Sequence, residues 1–331
     1  MEAQQRFMTE QNDVPIIELN RLRKEYGGHT AVNDLRLTIR EGEIFGLLGP
    51  NGAGKTTTIL MLLGLTEPTS GSARVCGLDP VRQPLQIKRQ VGYMPDDVGF
   101  YEDRSALDNL LFTAQLNLIP RDEAQELAER LLERVGLADA GRKRVGAFSR
   151  GMRQRLGIAD VLIKRPKVII LDEPTLGIDP EGVRELLMLI RELSRKEGLT
   201  VLLSSHHLHQ VQQICDRVGL FVRGELIAHG DVESLARQLD QDGIVTVELE
   251  ASGWNAAIAA ELTGLTDVVE ARESPRPNAE STSVTLLCKR DLTTEAAGIL
   301  IRHGARLHTI RRKQYGLDDI YHRYFEGGGL A

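Results

Sequence analysis

The most constraining feature of this sequence is a glycine-rich segment that fits the pattern GxxxxGK[ST] without a gap. It reads Gly49-Pro50-Asn51-Gly52-Ala53-Gly54-Lys55-Thr56, with Thr57 next to it. A short apolar run (43–48) precedes it and a helix-like run (56–63) follows, which is the context that the pattern requires. Glycines let backbone N–H groups turn toward phosphate oxygens, and the helix start adds partial positive charge. We therefore predict a phosphate-binding loop rather than an ordinary glycine-rich turn.

A second element combines an apolar strand with two acids. Residues 168–171 are all apolar, and Asp172 and Glu173 follow them directly. Beside a phosphate loop, Asp172 is suited to hold Mg²⁺ and Glu173 to polarise an attacking water molecule. In the loop itself, Lys55 would reach the β- and γ-phosphates and Thr56 would place its hydroxyl on Mg²⁺. The alternative is a strand that ends in two solvated acids at a turn, since Pro174 comes next.

Composition limits the classes of protein to consider. Of 331 residues, 41% are hydrophobic and 27% are charged, which is typical of a globular protein with a core. The net charge of −6 gives no support to a nucleic-acid partner. The three cysteines contain no CxxC pair, so a cysteine zinc site is not expected. No apolar run approaches the ~20 residues of a membrane-spanning helix, and residues 1–13 lack a signal-peptide core.

Hydrophobic periodicity predicts two domains. Strands are expected at 16–22, 31–39, 43–48, 167–171 and 200–203, with helices at 56–63, 105–118, 122–135 and 182–196. This alternation indicates an α/β sheet. After a composition change at 239–243, strands are expected at 245–249, 284–288 and 307–310, helices at 254–262 and 293–303, and an exposed loop at 274–283. We expect a polar leader (1–15), an α/β domain (16–239), an α+β domain (243–325) and a flexible tail (326–331).

Four further motifs occur in the order and spacing of the ABC ATPases, which the sequence resembles over about 16–235. They are Phe148-Ser149-Arg150-Gly151-Met152, similar to the LSGGQ signature; 176–179, similar to the D-loop; Ser204-Ser205-His206, similar to the switch histidine segment; and Tyr26, similar to the A-loop aromatic. The resemblance implies the fold of a P-loop NTPase of ABC ATPase type. N-terminal antiparallel β elements, a helical subdomain at about 97–160 and the small C-terminal α+β domain complete that expectation.

The resemblance also implies roles for individual residues. Tyr26 would stack on adenine, Glu173 would be the catalytic base, and His206 would orient the γ-phosphate and water. Ser149 and Gly151 would touch the γ-phosphate held by a second subunit, so a homodimer with two ATP sites is expected. Two alternatives stay open at this point: Tyr26 as a half-exposed strand aromatic, and a metal cluster of His206 with the histidines at positions 207 and 209.

The sequence departs from the family pattern at two places. Arg150 stands where the signature has its first glycine, and Met152 stands where it has glutamine. Asp96, in Tyr93-Met94-Pro95-Asp96, stands where the Q-loop has glutamine. As an anion, Asp96 could approach Mg²⁺ directly or through water.

The resemblance implies an ATP-hydrolysing subunit of an ABC transporter, with ATP and Mg²⁺ as cofactors. It would work from the cytoplasmic face of the membrane with a separate transmembrane permease, and the segment 151–180 is similar to exporter subunits. The rival is a soluble ABC ATPase that acts on ribosomes or DNA, but the chain has one cassette and no sustained heptad run. A P-loop kinase or GTPase would leave the signature and His206 unexplained.

Overall fold

A computed structural model of the protein describes residues 15–207, 212–231, 234–235, 245–275 and 281–313. The chain divides into two compact units, residues 1–231 and 232–331. The predicted boundary at 239–243, most of the predicted leader and the whole predicted tail (326–331) lie outside the described residues. Among the residues that are described, no helix is long and apolar enough to span a bilayer.

The first unit alternates strands and helices. Its elements are β1 (Pro15–Tyr26), β2 (His29–Arg40), β3 (Ile44–Leu48), α1 (Lys55–Leu62), β4 (Ser70–Val75), α2 (Pro84–Gln90), β5 (Val91–Met94), α3 (Ala106–Leu116), α4 (Arg121–Arg134), α5 (Arg150–Leu162), β6 (Val168–Asp172), α6 (Pro180–Glu197), β7 (Thr200–Ser205), β8 (Arg217–Val222) and β9 (Glu225–Gly230). Two single turns of 3₁₀ helix, Ala138–Ala140 and Val145–Ala147, lie between α4 and α5.

A six-stranded sheet forms the centre of this unit, in the order β5-β6-β7-β3-β8-β9. All its pairs are parallel except β8 with β9. β3, β6 and β7 are buried along their whole length. Continuous apolar strands of this kind are typical of a parallel sheet covered on both faces. The carboxyl ends of β3, β5, β6 and β7 therefore lead into one edge of the sheet, where ligands of α/β proteins usually bind.

A separate antiparallel sheet, ordered β2-β1-β4, carries the N-terminal strands. One hydrophobic core joins it to the six-stranded sheet and includes Ile17, Leu22, Phe45, Ile170 and Phe221. β1 continues four residues beyond the predicted end at Leu22. The charged residues at 21 and 23–25 hid this extension, because register shifts break the alternation there. The predicted N-terminal antiparallel elements are confirmed.

The predicted helical part of this unit consists chiefly of α3, α4 and α5. Ser105 caps α3 with a capping box, since its hydroxyl accepts from the Asp108 amide and the Asp108 carboxylate accepts from the Ser105 amide. α4 places Leu127, Leu131 and Leu132 on its buried face, as the periodicity indicated. Both helices match their predictions to within two residues at each end.

The second unit has the order β–α–β–β–α–β. Its elements are β10 (Val245–Ser252), α7 (Ala256–Thr263), β11 (Val268–Pro275), β12 (Ser281–Cys288), α8 (Thr293–Arg302) and β13 (Arg306–Arg312). The strands form an antiparallel sheet in the order β11-β12-β10-β13, and this is the ferredoxin-like arrangement. The α+β expectation is confirmed. The predicted loop at 274–283 is wrong at both ends, because residues 274–275 and 281–283 belong to paired strands. β11 was missed because charged residues at 270, 272 and 273 interrupt its apolar residues and leave no clear alternation.

Candidate functional site

The loop of residues 49–54 connects β3 to α1 and lies close against neighbouring backbone. Gly52 and Gly54 have φ angles of 79° and 107°, which side-chain-bearing residues rarely adopt. A Cβ atom at Gly54 would lie 2.3 Å from the Ala31 carbonyl oxygen and 2.7 Å from the Phe221 ring. Only glycine therefore fits at position 54, and the loop is held against β2 and β8.

Lys55, at the start of α1, is 5% exposed. Its ammonium donates to the carbonyl oxygens of Gly49 (2.8 Å) and Pro50 (3.2 Å). It also lies 3.2 Å from Oε1 of Glu173, as an ion pair without hydrogen-bond geometry. Two of the three ammonium donors therefore bond to loop carbonyls, and the Glu173 carboxylate lies beside them as an ion pair. Phosphate oxygens that enter the loop would replace them.

Asp172 ends β6 and is 3% exposed. One of its carboxylate oxygens accepts a hydrogen bond from the Thr56 hydroxyl at 2.8 Å, and the other accepts a short one from the Ser204 hydroxyl. The same Ser204 hydroxyl accepts from the Glu173 amide at 3.0 Å. Ser204 thus positions both acids, a role that sequence reasoning missed although the residue lies in the quoted Ser204-Ser205-His206 segment.

Glu173 has a φ angle of 48°, in the left-handed region that a side chain disfavours. Such a backbone costs about 1–3 kcal/mol and persists where the surroundings hold it, often at functional sites. Its side chain is 12% exposed, and Oε2 lies 2.8 Å from Nδ1 of His206. The predicted base and the predicted switch histidine are therefore in direct contact.

His207 packs against His206, with ring centroids 3.9 Å apart. Burial lowers the pKa of His207, the neighbouring His206 lowers it further, and Glu173 opposes them. The histidine at position 209 lies outside the described residues. In the part of the chain that the structure describes, no group of three His, Cys, Asp or Glu side chains is arranged to hold a metal.

These residues surround one cavity of about 600 Å³, a volume usual for ligand pockets. The lining residues are Tyr26, His29, Ala31, Asn51, Gly52, Gly54, Lys55, Thr56, Thr57, Tyr93, Asp96, Asp172, Glu173, Leu176 and His206. Most of the predicted site is thus brought together. His29, Ala31 and Tyr93 line the cavity without having been assigned a role from the sequence. For Tyr93, its place in the segment that ends at Asp96 was the available signal.

Two tyrosines of the cavity differ in environment. Tyr26 is 46% exposed, its ring lies 4.8 Å from the Lys24 ammonium, and its hydroxyl lies 3.4 Å from that of Thr66. Burial raises the pKa of Tyr93 to about 12, with a further contribution from the carboxylates of Asp172 and Asp96. Tyr93 therefore stays a neutral phenol at physiological pH.

Comparisons with known proteins agree with this geometry. Residues 32–176 match the family model of the ABC transporter. The linearmycin resistance ATP-binding protein LnrL of Bacillus subtilis (strain 168) is 35% identical over 253 residues, which are 76% of this chain and 80% of that protein. The chain belongs to the family of ABC transporter ATP-binding proteins. As a member, it binds and hydrolyses ATP and energises transport.

Two further ABC proteins support the assignment. The bacitracin transport ATP-binding protein BcrA of Bacillus licheniformis is 42% identical over 212 residues, 64% of this chain and 68% of that one. The solved structure of cbiO1 from Clostridium perfringens, part of the ABC transporter complex cbiONQ, has a TM-score of 0.62 at 28% identity and covers 69% of this chain and 95% of its own. The P-loop fold of ABC type is confirmed, and a soluble ABC ATPase acting on ribosomes or DNA is not favoured.

The signature segment of this ABC protein lies apart from the cavity. Ser149 is the N-cap of α5, and its hydroxyl accepts from the Met152 amide at 3.3 Å. Gly151 packs toward Ile178 of the D-loop turn. Neither Ser149 nor Gly151 is among the described residues that line the cavity. Within one chain, therefore, the predicted nucleotide ligands fall into two separate groups.

Proposed function

We propose that this ABC protein works as a homodimer, in which each ATP is held between the cavity of one chain and the signature segment of the other. The observation that carries the proposal is the separation of Ser149 and Gly151 from the otherwise complete cavity. A second copy of the chain would supply both residues across a symmetric interface, twice. Closure would then depend on the γ-phosphate, since that group alone touches both halves.

In the proposed reaction, Glu173 accepts the proton of the water that attacks the γ-phosphate. The contact between its Oε2 and His206 orients the carboxylate, and Ser204 fixes its backbone amide. Lys55 exchanges its carbonyl partners for β- and γ-phosphate oxygens, and Ser149 of the other chain donates to the γ-phosphate. Donors fixed before the reaction stabilise the charge that develops on the phosphoryl group.

The oxygen donors of the cavity fit Mg²⁺. Thr56 and Asp172 are in contact at 2.8 Å, and Asp96 lines the same space. Mg²⁺ in nucleotide sites usually has one or two protein oxygen ligands, with phosphates and water as the rest. We propose Thr56, Asp172 and Asp96 as its protein ligands, directly or through water. When bound, the ion would neutralise charge on the phosphates.

The proposed partner is a separate multi-span permease, contacted from the cytoplasmic face of the membrane. Five large apolar side chains are exposed on the first unit from the start of α2 to the turn after α3: Leu85, Tyr101, Phe112, Leu116 and Leu118. Exposed apolar side chains in one part of a surface often mark a protein interface. Export is the proposed direction, since the names of LnrL and BcrA refer to linearmycin resistance and bacitracin transport.

Complementation between two inactive variants tests the shared site. Lys55→Ala removes the phosphate-binding cation and Ser149→Arg blocks the signature segment, so each variant alone should hydrolyse almost no ATP. In an equimolar mixture, half of the dimers contain one of each and restore one of two sites, so we expect about one quarter of wild-type turnover. No recovery on mixing, with both variants folded, would contradict the shared site.

The permease is tested separately by purifying the tagged chain from its native cells in mild detergent, with mass spectrometry of co-purifying proteins. A stoichiometric multi-span membrane protein is expected. A matched variant, Leu85→Ser with Leu118→Ser, should release that protein and leave basal ATP hydrolysis unchanged. Recovery with ribosomal or DNA-bound proteins alone would overturn the permease assignment without affecting the ATPase chemistry.

A further inference from the structure

Arg150, which replaces a glycine of the signature, contacts the segment that carries Asp96. Its Nη2 donates to the Asp96 carbonyl oxygen at 3.4 Å. Gln154, one turn further along α5, donates to the same oxygen through Nε2, also at 3.4 Å. Gln154 is 3% exposed, so its hydrogen bond is shielded from water. Two donors of the signature helix therefore hold the backbone of Asp96, the second residue after β5.

The stem of Arg150 also lies across the turn after β6. Gly177 has a φ angle of 71°, and a Cβ atom there would lie 2.9 Å from Cδ and 3.0 Å from Nε of Arg150. One residue further along both α5 and the turn, a Cβ atom on Gly151 would lie 3.4 Å from the side chain of Ile178. The first turn of α5 is thus packed on residues 177–178, and Arg150 is the side chain that also reaches Asp96.

Both segments that Arg150 contacts lead into the nucleotide cavity. Asp96 lines the cavity itself, and the turn at 177–178 directly follows Leu176, which lines it too. Asp96 also lines a smaller cavity together with Arg150 and Gln154. A glycine at position 150 could make none of these contacts. The arginine therefore gives this chain a physical connection that the family's usual residue lacks.

We propose that Arg150 is a positioning residue that transmits occupancy of the chain's own cavity to its signature segment. A nucleotide that enters the cavity meets Asp96, which lines it, and Arg150 carries the resulting movement of Asp96 to the first turn of α5, where Ser149 is the N-cap. The inference rests on the proposed shared site: in a dimer, Ser149 serves the other nucleotide, so Arg150 connects the two sites through one chain. Arg150 and Gln154 both lie on α5 and both donate to the Asp96 carbonyl, so a movement of Asp96 is passed to this helix.

Hydrogen exchange with mass spectrometry tests the connection. The probe is a non-hydrolysable ATP analogue with Mg²⁺, at a protein concentration where light scattering shows a monomer, so that no second chain touches the signature. In the wild type, the analogue should slow exchange both in 49–57 and, by about threefold, in 149–155. Arg150→Gly should keep the first effect and lose most of the second, because only Gln154 then donates to the Asp96 carbonyl, and Arg150→Lys should retain part of the second effect.

Arg155→Ala is the matched control, since Arg155 lies on the same helix but pairs with Glu185, and it should behave as the wild type. Unchanged melting temperatures exclude misfolding. Protection of 149–155 that persists in Arg150→Gly, or that is absent from the wild type while 49–57 is protected, would overturn the inference alone. Absence of protection at 49–57 in the wild type would instead contradict the nucleotide site.

Discussion

Replacing Glu173 by glutamine tests the centre of the proposed mechanism, because it removes one negative charge and changes little else. The amide oxygen of glutamine can still accept from His206, which lies 2.8 Å from the glutamate oxygen. What is lost is the proton acceptor for the attacking water. A positioned general base contributes about 10²–10⁴-fold to rate. At about 1.4 kcal/mol per factor of ten, the barrier should rise by roughly 3–5.5 kcal/mol.

The same change should strengthen nucleotide binding. In this structure Glu173 lies 3.2 Å from the Lys55 ammonium, and both side chains are almost fully buried. ATP must displace this carboxylate before its phosphates can reach Lys55. Because the pair lacks hydrogen-bond geometry, its loss should cost only about 1 kcal/mol, below the roughly 1.5–3 kcal/mol of a hydrogen bond to a charged group. The dissociation constant for ATP should then fall about fivefold.

Two assays separate these effects: phosphate release for turnover, and titration with a fluorescent ATP analogue for affinity. Glu181→Gln is the matched control, because Glu181 is exposed on α6 and pairs with Arg184; both quantities should stay at wild-type values. Turnover of Glu173→Gln within about threefold of the wild type would refute the catalytic role. Slow turnover with weaker binding would refute the competition between Glu173 and phosphate for Lys55.

Three further outcomes are expected. Tyr26→Ala should weaken ATP binding by about 1–3 kcal/mol, the value of base–aromatic stacking, and Tyr26→Phe should not; equal losses in titration would exclude stacking. Gly54→Ala should destabilise the fold by roughly 3 kcal/mol, because its Cβ meets the Ala31 carbonyl at 2.3 Å, and calorimetry would detect this. Burial raises the pKa of Asp160, so its contribution to stability is full below about pH 3.9 and is lost as pH rises through the folded pKa. Urea midpoints of wild type and Asp160→Asn should therefore shift in favour of the wild type between pH 7 and 4.5, and a constant difference would contradict this.

The sequence predicted those parts of the molecule in which local pattern and chemistry coincide. β3, β6 and β7 are continuous apolar runs, so their burial in a parallel sheet could be foreseen. The glycine spacing at 49–54 likewise allowed the phosphate-binding loop to be predicted. Strands in which consecutive charged residues interrupt the alternation were harder to predict, as the length of β1 and the missed β11 illustrate. There the partner strand, rather than the strand's own alternation, decides the structure.

The sequence pattern could not predict which side chains contact each other. Ser204 could be placed after β7 from the sequence, yet its bonds to Asp172 and to the Glu173 amide depend on the register of β6 with β7. The same holds for Arg150, which the sequence identified only as a departure from the family. Its contact with Asp96 joins residues 54 positions apart in the chain. No local sequence pattern predicts a contact between residues so far apart in the chain.

In this structure the phosphate-binding and Mg²⁺-binding side chains of the cavity are paired with groups of the protein itself. Lys55 is occupied by Glu173 and two loop carbonyls, and Thr56 by Asp172. ATP therefore exchanges existing partners for new ones rather than adding bonds to free groups, so the net gain per contact is small. Contacts with no internal competitor contribute more, and the proposed hydrogen bond from Ser149 of a second chain is one of them. Tight binding of ATP and closure of the dimer would then be one event, because the energy that favours either depends on the other.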